Sequence, residues 1–101
     1  MQVIEYDFRQ PWEDLANGII IRATDDYKMA LSRLQEQIPY KAKLNYAREI
    51  HSLNRWFRGK WFETLTSTDP EYIIENLNNI YGNTETKNFV NRTTVYDKER
   101  I

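Results

Sequence analysis

Hydrophobic residues recur at steps of three and four from Pro11 to about Ile38, which is the period of an amphipathic helix. The stripe consists of Trp12, Leu15, Ala16, Ile19, Ala23, Tyr27, Ala30, Leu31 and Leu34. Pro11 suits the first helical position, where the backbone N–H has no partner in any case, and Pro39 disfavours helical backbone in the residue before it. The stripe keeps its phase through Asn17-Gly18, so we expect a weak point in the helix there rather than a turn.

A second stripe of the same period predicts a helix from about Lys41 to Leu65. Its apolar face consists of Tyr46, Ile50, Leu53, Phe57 and Trp61. Its opposite face consists of Lys41, Arg48, Ser52, Arg55 and Gly59. The two predicted helices are separated only by a short connection at Pro39, so we expect them to form a long antiparallel pair.

Within this second helix, the segment NRWFRGKWF crowds four aromatic rings and three cations into nine positions. At about 100° per residue, Phe57 and Trp61 belong to the core stripe, while Trp56 lies on its flank. Phe62 projects with the basic side if the helix is regular. Three alternatives stay open for it: a later segment covers it, the helix bends near the glycine of this segment, or the ring is exposed for a partner.

The segment STDPEYIIENLNNIYGN carries the start and stop signals of a third helix. Asp69 suits the N-cap, Pro70 the first position and Glu71 the first turn, and Gly82 stands just past the end. The apolar stripe of this helix consists of Ile73, Ile74, Leu77, Ile80 and Tyr81. The predicted fold class is mainly α, a three-helix domain in which this shorter helix closes over the long antiparallel pair.

The two ends of the chain follow other patterns. Ile4, Tyr6 and Phe8 alternate with polar residues, which predicts a short extended N-terminal segment. Residues 83–101 are polar with scattered apolar side chains, so we expect a loose C-terminal tail, whose TTVY segment is a candidate partner strand for the N-terminal segment. The predicted organisation is one helical domain over residues 1–82 followed by that tail.

Composition narrows the class of protein further. With 101 residues, of which 41% are hydrophobic, the chain suits one compact domain with a modest core. It contains no run of roughly 18 apolar residues that could span a bilayer and no pattern of a secretion signal at its N-terminus. No cysteine is present to form a disulfide or a thiolate zinc site. We therefore expect a cytoplasmic protein without membrane association.

Charge is distributed unevenly along the chain, although the formal net charge is only −1. Residues 1–26 carry six acids and two bases, and residues 27–62 carry two acids and eight bases. The candidate partner-binding acids are Glu13, Asp14, Asp25 and Asp26. The candidate basic and aromatic residues are Lys41, Arg48, Arg55, Trp56, Arg58, Lys60 and Phe62. Three interpretations stay open: these charges pair inside the domain, they dock on a protein partner, or the cations bind nucleic acid.

Residues that could carry chemistry are scarce. His51 is the one histidine, and it lies beside the core stripe with no neighbour that completes a zinc motif, which favours a structural role. The three glycines are far apart and form no phosphate-binding loop. Asn91-Arg92-Thr93 matches a glycosylation acceptor by chance, given the missing secretion signal. We predict no catalytic residue, no metal ligand and no cofactor.

Two segments, residues 14–31 and 54–77, carry a distinctive order of short motifs. The motifs are Leu15-Ala16-Asn17, Asp26-Tyr27, Phe57-Arg58-Gly59, Trp61-Phe62, Leu65-Thr66 and Glu71-Tyr72-Ile73. In this order the chain resembles a group of small helical proteins, mostly uncharacterised, that are encoded by phages, prophages and conjugative elements of Gram-positive bacteria. The departures from their pattern are Gly18, Gly59 and Asp69-Pro70. The resemblance implies a mobile-element protein in the cytoplasm of a bacterial host and assigns no role to any residue.

Taken together, these patterns predict a non-catalytic accessory protein that binds a host or phage macromolecule and inhibits or modulates it, for example as an anti-CRISPR inhibitor. In that interpretation the acids of the first helix occupy a basic channel of the target. The alternative is a small nucleic-acid-binding regulatory protein that uses the basic side. A third interpretation is a homodimer with Trp56 and Phe62 at its seam.

Overall fold

The computed structural model describes residues 9–94, with side chains from residue 12 onward, and shows an all-helical architecture over that range. The prediction of a mainly α fold is confirmed. The helices in chain order are α1 Arg9–Leu34, α2 Tyr40–Phe57, α3 Lys60–Leu65, α4 Pro70–Tyr81 and α5 Thr84–Arg92. The predicted N-terminal extended segment lies outside the described residues, except that Arg9 is already helical.

The helices α1 and α2 form the predicted antiparallel pair, which makes the main contact of the fold. Helix α1 ends at Leu34, four residues before the expected end, and Gln35–Pro39 make the connection. Its interior contains Asn17-Gly18 without interruption, as expected. The periodicity therefore outweighs the turn preference of this dipeptide.

The predicted continuous helix up to Leu65 is wrong, because the helix ends at Phe57 and restarts at Lys60. Arg58 has φ −88° and ψ 0°, and Gly59 is extended with φ −93° and ψ 178°. Glycine has a low preference for helix, so a break costs least there. The second of the three alternatives for Phe62, a bend near the glycine, is the one that the structure shows.

The bend exchanges the predicted roles of two neighbouring aromatic residues. Phe62 is only 1% exposed and packs in the core, whereas Trp61, predicted to be buried, is 71% exposed. The ring of Phe62 lies 5.3 Å from that of Phe57 and 5.8 Å from that of Trp56, both in edge-to-face geometry. Half of the aromatic segment is therefore core.

Helix α4 begins and ends where its local signals predict. The side chain of Asp69 accepts a hydrogen bond from the backbone N–H of Glu71 at 3.0 Å, and the helix ends before Gly82. Its stripe is buried at Ile74 and Leu77. Ile80 was predicted to belong to the same stripe, but it is exposed and lies outside the core. The buried residues contact α1 and α2 and close the core from one side.

The predicted loose tail is wrong for residues 84–92, which form α5 and pack against α2. Asn83 and Thr86 form a capping box, in which each side chain accepts a hydrogen bond from the other's backbone N–H at 2.8 Å. Thr86, Val90 and Thr93 are buried. The polar composition of this segment led to the wrong prediction of a loose tail. Helix α5 is stabilised by its capping box and by the burial of a few small side chains.

Candidate functional site

The four candidate acids of α1 do not form one surface. Residues 14 and 25 lie about 20° apart around the helix, but residues 13 and 26 each lie about 100° from their neighbour in sequence. Asp26 forms an ion pair with Arg22 at 3.7 Å, and Asp25 forms one with Lys28 at 3.9 Å. Burial, the larger cause, and the charge of Asp26 both raise the pKa of Glu49 in α2. Asp26 therefore lies on the side of α1 that faces α2. Local pairing therefore neutralises the C-terminal two of these acids.

Three of the candidate cations form a ridge along the solvent side of α2, which we call the basic ridge: Lys41, Arg48 and Arg55. A spacing of seven residues places them about 10 Å apart, and no acid of α2 lies between them on this face. The guanidinium of Arg55 donates to the hydroxyl of Ser52 at 3.2 Å. The Nε of Arg48 is buried and has no hydrogen-bond partner within the described residues. The ridge therefore places three cations on one side of α2.

The other candidate basic and aromatic residues lie elsewhere. Arg58 pairs with Glu71 at the start of α4 through hydrogen bonds of 2.6 and 2.9 Å. This contact raises the pKa of Arg58 and lowers that of Glu71. Trp56 is half-buried against the buried Phe62, so this pair does not form an exposed homodimer seam. Lys60 is exposed but lies beyond the bend, in α3.

The N-terminal part of α1 exposes an apolar stripe that sequence reasoning assigned to the core. The apolar stripe consists of Trp12, Leu15 and Ile19, which are 46%, 57% and 39% exposed. Helix α1 has 26 residues and α2 has 18, so α2 is too short to cover the whole length of α1. Glu13 and Asp14 lie beside the stripe in sequence and are exposed. The periodicity predicted the helix correctly, but it carries no information on where the covering helix ends.

A polar cleft of about 310 Å³ lies between α2, α4 and α5. At its floor the buried hydroxyl of Tyr27 forms hydrogen bonds of 3.0 Å with the side chains of Asn54 and Asn78. Burial, the largest cause, raises the pKa of this phenol, and the hydrogen bond that it accepts from Asn78 opposes that effect. No sequence pattern indicated this cleft, because its lining residues come from four separate helices.

His51 lines the same cleft and is buried. Its Nε2 lies 3.0 Å from the hydroxyl oxygen of Thr93, and that hydroxyl donates to the carbonyl of Val90 at 2.8 Å. The histidine therefore ties α2 to the end of α5. The burial of Thr93 also withdraws the hydroxyl of the Asn91-Arg92-Thr93 acceptor sequence into the core.

Within residues 12–94 there is no group of three or more histidine or acidic side chains arranged to hold a metal ion. Over the same part of the chain, no helix is long and apolar enough to cross a membrane. Comparisons with protein-family models, with curated proteins and with solved structures found no significant match. The resemblance to proteins of phages and mobile elements therefore stays a prediction.

Proposed function

We propose that this chain is a non-catalytic accessory protein of a phage or mobile element, which binds a host or phage protein and inhibits or modulates it, as anti-CRISPR proteins do. The observation that carries the proposal is the apolar stripe on α1. Trp12, Leu15 and Ile19 are large side chains on one side of a helix, and all three are substantially exposed. Clustered exposed apolar side chains of this kind mark interaction surfaces.

The spacing of the stripe fits one mode of recognition. Residues 12, 15 and 19 follow the i, i+3, i+7 pattern with which an amphipathic helix lies in the groove of a partner protein. Tryptophan is enriched among the residues that dominate binding energy at such interfaces. The stripe is therefore expected to insert into an apolar groove.

The acidic residues near the apolar stripe indicate what charge the rim of the partner's groove carries. Glu13 and Asp14 are exposed, and each lies about 100° around α1 from the nearest residue of the stripe. A groove with apolar walls and a basic rim complements this surface. A basic rim of this kind is typical of a protein that binds nucleic acid. A bound α1 with its acidic side chains at the rim would compete with the nucleic acid.

The test starts with affinity capture from a Gram-positive host lysate, with and without nuclease, followed by purification of the recovered protein. Leu15→Asp is expected to weaken its binding about 30-fold or more, since it places a charge in the apolar groove. Ile21→Asp is the matched control, because Ile21 is also 57% exposed but lies about 120° away around α1. Equal effects of the two variants, or none, would reject the proposal.

A second candidate function, nucleic-acid binding, is favoured by the basic ridge. Three phosphate contacts by Lys41, Arg48 and Arg55 predict that log K falls by about 2.7 per tenfold rise in salt concentration. Anisotropy titrations with a labelled duplex and a labelled single strand measure this slope. Arg48→Ala should reduce it by about 0.9, while Lys87→Ala on α5 should leave it unchanged. Absent or salt-insensitive binding rejects this function.

A further inference from the structure

The hydrogen bonds at the floor of the polar cleft fix the orientation of two asparagine side chains. The carbonyl of Ile74 can only accept, so the group that meets it at 2.9 Å is the amino group of Asn78. The same amino group donates its other proton to the hydroxyl of Tyr27 at 3.0 Å. The hydroxyl must then donate its own proton to Oδ1 of Asn54, also at 3.0 Å.

This arrangement leaves one NH₂ group and one amide oxygen at the Tyr27 hydroxyl without a hydrogen-bond partner within the described residues. The amino group of Asn54 and the Oδ1 of Asn78 have no other hydrogen bond within the described residues. The neighbouring His51 is fixed in the same way: the hydroxyl of Thr93 donates to Val90, so it accepts from Nε2 of the histidine. When the imidazole is neutral, its Nδ1 is then a second acceptor in a cleft that His51 lines.

The charges around the cleft favour a neutral ligand. Arg58 lines the cleft, but its guanidinium is already paired with Glu71. Lys87 and Glu75 contribute one charge of each sign. Ile74 and Val90 add apolar surface, which suits a ligand with an apolar stem. A volume of about 310 Å³ holds a side chain or another small group.

We propose that this cleft binds the primary carboxamide of an asparagine or glutamine side chain of a polypeptide. The carboxamide oxygen accepts from the amino group of Asn54, and its N–H donates to Oδ1 of Asn78. Both protein groups are held in place before binding by Tyr27, which lowers the entropic cost of binding. The assignment of this carboxamide to a protein partner rests on the proposed function. The cleft itself lies away from the apolar stripe.

The test is a titration of the ¹⁵N-labelled full chain with N-acetylglutamine methylamide, observed through the side-chain NH₂ signals of Asn54 and Asn78. Saturable shifts in the millimolar range are expected. The glutamate analogue, which lacks the N–H donor and carries a charge, should give none at these signals. Absence of shifts with the glutamine probe, or equal shifts with both probes, would overturn the proposal.

A pair of isosteric variants tests the site itself. Asn54→Asp keeps an oxygen that accepts from Tyr27 but loses the donor, so binding of the glutamine probe should weaken about fivefold or more. Asn45→Asp, an exposed position on the same helix but outside the cleft, makes the same charge change and should have no effect. Equal binding by both variants places the probe elsewhere and rejects the site.

Uridine serves as a third probe, because its ring also carries a carbonyl beside an N–H. Tighter binding of uridine than of the glutamine probe would identify a nucleobase site and overturn the assignment to a polypeptide. These titrations use no partner protein. Their failure is therefore distinguishable from a failure of Leu15→Asp to affect partner capture.

Discussion

The guanidinium of Arg58 donates two hydrogen bonds to the carboxylate of Glu71, from Nε at 2.6 Å and from Nη2 at 2.9 Å. Arg58 follows the last residue of α2, and Glu71 lies in the first turn of α4. The pair therefore joins two helix ends across the bend and α3. Arg58, a candidate for partner binding, thus also links two helix ends at the surface of the fold.

Neutralising Glu71 is expected to destabilise the protein in a pH-dependent way. The hydrogen bond from Arg58, the largest cause, lowers the pKa of Glu71 from its ordinary value of 4.5. Its contribution is complete above that value and is lost as the pH falls through the lowered folded pKa. Because the pair is half-exposed, Glu71→Gln should cost only about 0.5–1 kcal/mol of unfolding free energy at pH 7.

Urea denaturation over a series of pH values from neutral to acidic checks this prediction, since the stabilities of the variant and the parent should converge as the pH falls through the lowered folded pKa. Glu75→Gln on the same helix is the control, because Glu75 forms no salt bridge within the described residues. A pH-independent difference for Glu71→Gln would contradict the role of the carboxylate charge.

Alanine substitutions at two adjacent aromatic residues should have very different effects on stability. Phe62→Ala is expected to cost about 3–5 kcal/mol, because the ring is buried among Phe57 and Trp56. Trp61→Ala should change the unfolding free energy by no more than about 0.5 kcal/mol, since this side chain is mostly exposed. Denaturation of both variants tests the bend directly: a regular helix through Gly59 predicts the opposite order.

Adding a methyl group at two glycines should have opposite signs. A Cβ at Gly18 has no neighbouring atom within 4 Å, so Gly18→Ala should stabilise α1 by about 0.5–1 kcal/mol. A Cβ at Gly82 would lie 2.8 Å from the carbonyl oxygen of Asn78, so Gly82→Ala should destabilise by about 1 kcal/mol or more. Thermal unfolding of both variants measures the difference, and a loss of stability at Gly18 would contradict the uninterrupted helix.

Removing the cap of α5 should weaken the packed C-terminal helix. Asn83→Ala loses the acceptor for the backbone N–H of Thr86 and is expected to cost about 1 kcal/mol of unfolding free energy. Asn88→Ala, an exposed position within the same helix, is the matched control and should change stability little. Equal effects on urea denaturation would indicate that the capping box does not hold α5.

The sequence predicted those helix ends that are determined by interactions within one turn of the helix. Asp69 and Pro70 mark the start of α4 because the cap and the fixed φ of proline act within one turn. The break at Gly59 could not be read with the same certainty, since the helical stripe continues in phase through it. The burial of Phe62 against Trp56 and Phe57 of α2 favours the bend, and that gain comes from tertiary packing.

The candidate site was predictable only in part, for similar physical reasons. The basic ridge follows from spacing on one helix, so Lys41 and Arg48 lie where the sequence places them. The pairing of Arg58 with Glu71 and the convergence of Asn54 and Asn78 on Tyr27 depend on how helices pack. Helix α5 had a signal in Asn83 and Thr86, but its polar composition outweighed that signal.

The wall that α5 contributes to the polar cleft has a thermodynamic consequence. This helix has nine residues, and its buried side chains within that span are the small Thr86 and Val90, so it should open at a lower free energy than the α1 and α2 pair. Amide hydrogens of α5 would then exchange with solvent through sub-global openings that leave the rest of the fold intact. Each such opening also uncovers Tyr27 and its two asparagines, which makes local unfolding a route by which a side chain reaches the floor of the cleft.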